Sequence, residues 1–481
     1  MSSVNDFSPV IPSPNSLLSY AFYTSCMHPR FSAIQGKTFT HKGFHGVPNY
    51  FFACSVNPLQ PLRDLFGDAY GFTLFFAHGD YIDWYWNTED MDRLGRKVIA
   101  RAEKDPQFIS GLRKIWLSRV GKLEDVFAKI NHAKLSTLSD HALLRLYSEL
   151  FRAYVDEYAP AIGLQDAFSM RADVLLEPAF AHFLKQKGQP YKLKEYFAVL
   201  FAPVEPSFLA REGEDLLEIA CLISRLGARK TLLEKPETLS FYPKVAKRLR
   251  EHARLFFWIQ SNYAKTPILD QSHFLTKALD EENPKEKLRE LRASFRDSKW
   301  DKKALIDKLK LPARLRTLIQ ISEIFCYMQD ERKKYVLISS HYQHLLLAEM
   351  SRRLDVPFHD LQYVLFHEIP KVLDGSFDLN RCAKRREFFA VLTDDDGVYT
   401  MEGTAARQLF EKHFKTDSTS AGQLSGTVAH PGKATGPVKL IRKTHDLVNV
   451  QFGDILVASM TRPEMISAMK KAAAIVTDEG G

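Results

Sequence analysis

Cysteine is scarce in this chain: five residues in 481, at Cys26, Cys54, Cys221, Cys326 and Cys382, with no C-x-x-C pair among them. Thiols so few, odd in number and widely spaced argue against a disulfide framework or a zinc site and point to a reducing cytoplasm. Long apolar runs are also lacking. No stretch approaches the roughly 18 consecutive apolar residues of a membrane-spanning helix, so no membrane partner is expected. The opening MSSVNDFSPVIPSPNS has neither the basic start nor the apolar centre of a secretory signal. H-E-x-x-H, G-x-S-x-G and EF-hand patterns are missing as well, which removes the common signatures of metalloproteases, serine hydrolases and calcium loops.

What is present is ordinary for a folded protein: 45% hydrophobic and 26% charged residues, with Gly 23 and Pro 23. A chain of this length forms two or three domains and buries a large core without staples. The net charge is +8, and most of it lies between Lys285 and Arg316, where twelve Lys or Arg outnumber five Asp or Glu. These charges alternate with Leu288, Leu291, Phe295, Leu305, Ile306 and Leu309. That is the wet face of an amphipathic helix, so nucleic acid is not the expected partner.

Residues 1–87 read as loops and short strands packed on a helical body. Their clearest element is FTLFFAHGDYIDWYW (72–86), two β-prone runs around His78-Gly79-Asp80, where Gly79 supplies the positive φ of a tight hairpin. Alternation assigns Trp84 and Trp86 to a core. Residues 88–415 read as a helical domain. Asn87 or Thr88 caps its first helix, and Ser139-Asp140 opens another in which Leu143, Leu146, Tyr147, Leu150, Phe151, Tyr154 and Tyr158 recur at spacings of three and four. Helix breaks are expected at Pro106, Pro160, Pro243, Pro267, Pro284 and Pro312, among others. LQYVLF (361–366) reads as a short strand or turn, and 388–401 as a hairpin turning on Asp394, Asp395 and Asp396. Residues 416–424 form a linker without large apolar side chains.

The remaining segment, 425–481, differs in texture. GTVAHPGKATG leads into a strand at Val438–Ile441; GDILV makes a second; TRPE opens a helix through Met465–Lys471; AAAIVT makes a third strand, ending in Asp478-Glu479-Gly480-Gly481. Two strands, a helix and a strand outline a layered α/β unit. Gly426–Lys433 is not a Walker A loop: five residues separate its glycines, Ala434 stands where a Mg²⁺-binding hydroxyl belongs, and a strand follows instead of a helix.

The blocks GTVAHPGKATGPVKLI, GDILVA, TRPEM and AAAIVTDEGG together resemble the mobile, phosphohistidine-carrying domain of the phosphoenolpyruvate-utilising enzymes. That family includes phosphoenolpyruvate synthase, pyruvate phosphate dikinase and the rifampicin phosphotransferases. The preceding helical region is similar, more weakly, to the helical segments before this domain in members without a kinase module, with RCAKRRE (381–387) leading toward it. The periodicities above give a mainly α fold with a small N-terminal β segment, and the resemblance implies that the C-terminal α/β unit is an incomplete one of the swivelling kind. It implies a phosphotransferase in which an imidazole accepts a phosphoryl group and swings it to a second site.

In the family the histidine follows the diglycine by about four residues. It is therefore expected just beyond Gly481, and no catalytic residue is assigned within the sequence. The resemblance places Thr477, Glu479, Gly480 and Gly481 beside the phosphohistidine loop, with Thr461 and Pro463 on the approach to it. No cofactor is evident in the chain itself; ATP or phosphoenolpyruvate with Mg²⁺ is implied by the family. The expected partners are a separate nucleotide-binding ATP-grasp module or subunit and a small-molecule acceptor. The alternative is a non-catalytic helical adaptor that retains the swivelling domain.

Other chemistry reads as scaffold. His341 and His344 are expected as helix-surface or interface histidines, His367-Glu368 as a strand-end capping pair, and the three aspartates at 394–396 as turn formers. His430, in the Gly-rich segment, is not assigned as the carrier.

Overall fold

The computed structural model describes residues 21–24, 29–414, 432–441, 444–460 and 465–479. The chain is mainly α-helical. Six strands, β1 (Ala21–Thr24), β2 (Phe39–His45), β3 (Phe72–His78), β4 (Tyr81–Asn87), β5 (Phe389–Asp394) and β6 (Gly397–Glu402), form one sheet in the order β1-β6-β5-β3-β4-β2. The β3–β4 hairpin closes with His78 opposite Tyr81 and Gly79 at φ +54°, the conformation its turn demands. β5 joins the sheet antiparallel to β3, with Phe75 opposite Val391, so segments more than 300 residues apart share one ladder.

Both faces of this sheet are covered, and alternation along the strands sorts their side chains. Phe75, Trp84 and Trp86 enter the main core shared with the helices. Leu74, Phe76 and Tyr85 enter a second core closed by Phe410 and Phe414, at the end of the helix Gly403–His413. Two further helices, Pro48–Val56 and Gln60–Phe66, lie in a region expected as loops and strands. Every residue of Pro48–Val56 is buried, so its sequence carries no polar stripe by which periodicity could reveal a helix.

The helical body is built around Asp140–Ser169, flanked by Thr88–Lys104, Phe108–His132 and the 42-residue Ala313–Leu354. Its caps are those expected: the Asn87 side chain accepts from the Glu89 N–H, and Ser139 Oγ from the Ala142 N–H. Pro160, expected as a break, lies inside Asp140–Ser169. The reason is tertiary: the backbone acceptor that proline leaves without a donor is taken by an arginine of the neighbouring helix. LQYVLF is not a strand either. It spans the end of the short helix Phe358–Leu361, a turn, and the first residue of the 3₁₀ turn Phe366–Glu368.

The basic segment forms the helix Pro284–Leu309, which buries Leu305 and Leu309 and leaves most of its charges outside. Arg292 reaches Glu214 and Glu218 on Phe208–Arg225, so part of its charge is met within the chain. No helix among the described residues is long and apolar enough to cross a membrane.

Candidate functional site

The C-terminal segment forms a second sheet of parallel strands, β7 (Val438–Ile441), β8 (Ile455–Met460) and β9 (Ala474–Glu479), in that order. The short helix Ile466–Met469 lies in the crossover between β8 and β9, as parallel neighbours require. Leu456 and Ala458 of β8 pack with Ile441, Val450, Met465 and Ala468 in a small separate core.

The entry to this sheet is tightly built. Gly453 takes φ +88°, and its N–H donates to the Lys471 carbonyl. A Cβ on Gly436 would overlap the Gly453 carbonyl oxygen, so the segment before β7 can lie there only as glycine. The buried Asp454 carboxylate accepts from the Gln451 N–H at 2.8 Å and turns the chain into β8.

Register brings two of the expected residues to one rim. Ala458 pairs with Thr477 and Met460 with Glu479, so both lie at the carboxyl ends of parallel strands. That end of an open α/β sheet is where ligands approach. Thr477 is half-buried. Thr461, Pro463, Gly480 and Gly481, like His430, lie outside the described residues. The strands expected from GDILV and AAAIVT are therefore present, with a parallel sheet as their frame, whereas TRPE lies outside the described residues.

Residues 450–481 match the family described as PEP-utilising enzyme, mobile domain. Residues 450–481 thus carry the likeness to a PEP-utilising mobile domain. A probable phosphoenolpyruvate synthase of Methanothermobacter thermautotrophicus is 46% identical over 88 residues, 18% of this chain and 13% of that protein. One from Methanocaldococcus jannaschii is 60% identical over 72 residues, 15% of this chain and 6% of that protein. An uncharacterised phosphotransferase of Bacillus subtilis, YvkC, is 36% identical over 129 residues, 25% of this chain and 16% of that protein. The chain thus spans well under a fifth of the length of these relatives. The similarity to these relatives is confined to a quarter of the chain or less.

Outside the mobile domain, the polar residues singled out by sequence do scaffold work. His341 and His344 take the second of their two expected places, at packing interfaces of their helix. His341 is buried against Phe257, with its pKa pushed down to about 4 by burial, and His344 Nδ1 lies 3.1 Å from the Tyr50 hydroxyl. Glu368 does act as a cap, accepting from the Leu365 N–H, but at a helical turn and not a strand end. Its carboxylate takes both Arg385 Nη1 and Nη2, at 2.6 and 2.7 Å. Burial opposes the charged form, yet Arg385 outweighs it and holds the Glu368 pKa down at about 2. Arg385 also donates to Glu402 and to the Tyr363 carbonyl, so RCAKRRE locks the 360s to the end of β6. Asp394 accepts from the Asp396 and Gly397 N–H groups, the turn role expected of it. Among the described residues no three His, Cys, Asp or Glu converge for a metal.

Sequence reasoning missed a buried charge cluster between the sheet and the helices. Arg332 Nη2 donates to Asp166 Oδ1 at 2.7 Å, and Lys42 Nζ lies 3.7 Å from Asp166 Oδ2. Three residues scattered over 291 positions leave no motif; only burial reveals them.

Proposed function

We propose that this chain is a phosphoryl-transfer component of the PEP-utilising type, with its C-terminal unit as the carrier. The observation that carries this reading is the mobile-domain match at 450–481 on a parallel sheet whose β8 and β9 ends meet at Met460 and Glu479. In the proposed step the lone pair of an imidazole nitrogen, on a histidine following the diglycine, attacks the phosphorus of ATP or phosphoenolpyruvate. An N–P bond forms as the P–O bond to the leaving oxygen breaks, and that oxygen keeps the electron pair. Transfer to the acceptor reverses the bond change: an acceptor oxygen takes the phosphorus and the imidazole departs neutral.

The described residues contribute position and not bond-making. Thr477 and Glu479 hold the rim from which the loop departs, and the helical body supplies a platform for an acceptor or for a partner that binds nucleotide.

The test is to incubate the product of the whole gene, alone and with candidate kinase subunits, with radiolabelled ATP or phosphoenolpyruvate. Acid-labile, base-stable label that disappears when the histidine after the diglycine is changed to alanine is the expected result. Absence of label under every combination would leave the second reading, a helical adaptor that keeps the mobile domain without turnover.

A further inference from the structure

The charge cluster at Asp166 is unusual in what surrounds it. Tyr158, Gln165 and Asp166 share one face of the helix Asp140–Ser169 through i, i+7 and i+8 spacing. Arg332 stands over the Tyr158 ring at 5.5 Å. Lys42 on β2 is directly opposite Trp84 on β4, so both side chains leave the sheet on the same face. The Trp84 and Trp86 rings are 3.9 Å apart, and Tyr70 links Trp86, at 4.8 Å, to the Gly163 carbonyl, which its hydroxyl reaches at 3.3 Å. The two indoles and the cluster therefore form one wall between sheet and helices.

That wall is rich in donors that donate to nothing. The indole N–H groups of Trp84 and Trp86, the Nε of Arg332 and the amide Nε2 of Gln165 are buried with no hydrogen-bond partner among the described residues, beside one unpaired acceptor, Gln165 Oε1. Buried polar groups are ordinarily paired, so several orphans on one wall call for a ligand or for water. Charge separates these two. Lys42 and Arg332 are two cations against the single carboxylate of Asp166. Burial pushes the pKa of the nearby Glu157 carboxyl up to about 8, so it offsets this charge only in part. Water satisfies donors but leaves the buried positive charge uncompensated; an anion does both.

We propose that the wall formed by Lys42, Trp84, Trp86, Gln165, Asp166 and Arg332 binds a small anion through a carboxylate or phosphate group. Arg332 and Lys42 supply charge and the indole N–H groups supply direction. Asp166 holds the two cations in place, and Lys42 and Arg332 disfavour ligands that present a cation. Lys42, whose side chain is 14% exposed while that of Asp166 is fully buried, marks the side from which the anion enters. This site takes none of its residues from the mobile domain and does not depend on phosphoryl transfer by it.

The test is calorimetric titration of the full chain, at fixed salt, with inorganic phosphate and with pyruvate. Saturable binding of either supports the proposal, and the anion that binds more tightly identifies the group recognised. Trp86→Phe keeps the ring and removes one donor; Lys42→Met removes charge at the solvent-facing edge. Each is expected to weaken binding about tenfold or more, with an unchanged far-UV spectrum confirming the fold and Trp84→Phe available if the Trp86 variant does not fold. If neither anion binds at tens of millimolar, or if these variants bind as the parent does, the wall holds water only and the proposal is overturned.

Discussion

Arg119 Nη1 donates to the backbone carbonyl of Asp156 at 2.7 Å. Asp156 is four residues before Pro160, so this carbonyl is the one that the N–H of residue 160 would occupy in an uninterrupted helix. Proline has no N–H, and a guanidinium from the helix Phe108–His132 takes its place. Changing Arg119 to Met is expected to lower stability by about 1 kcal/mol. The loss should shrink in a Pro160→Ala background, where the helix recovers its own donor. Urea unfolding of the four proteins in this double-mutant cycle measures the coupling; an equal loss in both backgrounds would show that Arg119 acts elsewhere.

Pro160 also marks where reading the sequence stops working. A proline argues for a break on local grounds, and the donor that overrides it comes from 41 residues upstream. The β3–β4 hairpin was legible because Gly79 and the two β-prone runs around it are local signals, and the caps at Asn87 and Ser139 for the same reason. The pairing of β3 with β5 was not, since nothing near Phe75 refers to Val391. At the candidate site, the mobile domain was readable through four short blocks in fixed order, each a strand, a turn or a helix start. Thr477 and Glu479 followed from those blocks, whereas Lys42, Asp166 and Arg332 meet only through tertiary packing.

The pairing of Glu368 with Arg385 predicts acid sensitivity with a defined sign. The Glu368 pKa is lowered from 4.5 to about 2 in the folded protein. A depressed carboxylate contributes stability that is complete above the unfolded value and is lost as pH falls through the folded one. Stability of the parent should therefore decline between about pH 4.5 and 2, and that part of the decline should be absent in Glu368→Gln. Replacing Glu368 by Ala at neutral pH leaves Arg385 buried with less compensation and is expected to cost roughly 3 kcal/mol. Denaturant midpoints across the acid range check both. Parallel profiles for the parent and Glu368→Gln would refute the assignment.

His252 carries the opposite sign. It is fully buried, with Nδ1 2.6 Å from Asp215 and Nε2 3.2 Å from Glu212, and Arg248 also reaching Asp215. Burial favours the neutral ring, but the two carboxylates outweigh it and raise the pKa above 6.5. A raised imidazole contributes stability in full below its unfolded value, and that contribution is lost as pH rises through the folded value. The parent should lose stability relative to His252→Gln as pH climbs past 6.5, with the gap widest in acid. An NMR titration of the His252 ring gives the folded pKa directly; a value at or below the free imidazole range would contradict the geometry.

The last prediction concerns the mobile domain alone. Gly436 lies against the Gly453 carbonyl, where a Cβ has no room, and Gly453 sits at φ +88°, where side chains are strained. Backbone meets backbone here, so no rotamer change can relieve a clash. Gly436→Ala should loosen the start of β7, where the N–H of Ile455, the partner of Val438, donates to the Pro437 carbonyl, while leaving the helical body intact. The expected outcome is faster protease cleavage within residues 432–479, with urea unfolding of the helical body within about 0.5 kcal/mol of the parent. The helical body has its own core, and the small core around Leu456 and Met465 shares no residue with it. A matching loss in the helical body would mean that the two cores unfold as one, whereas unchanged cleavage would mean that the close approach of Gly436 to Gly453 does not hold the domain together.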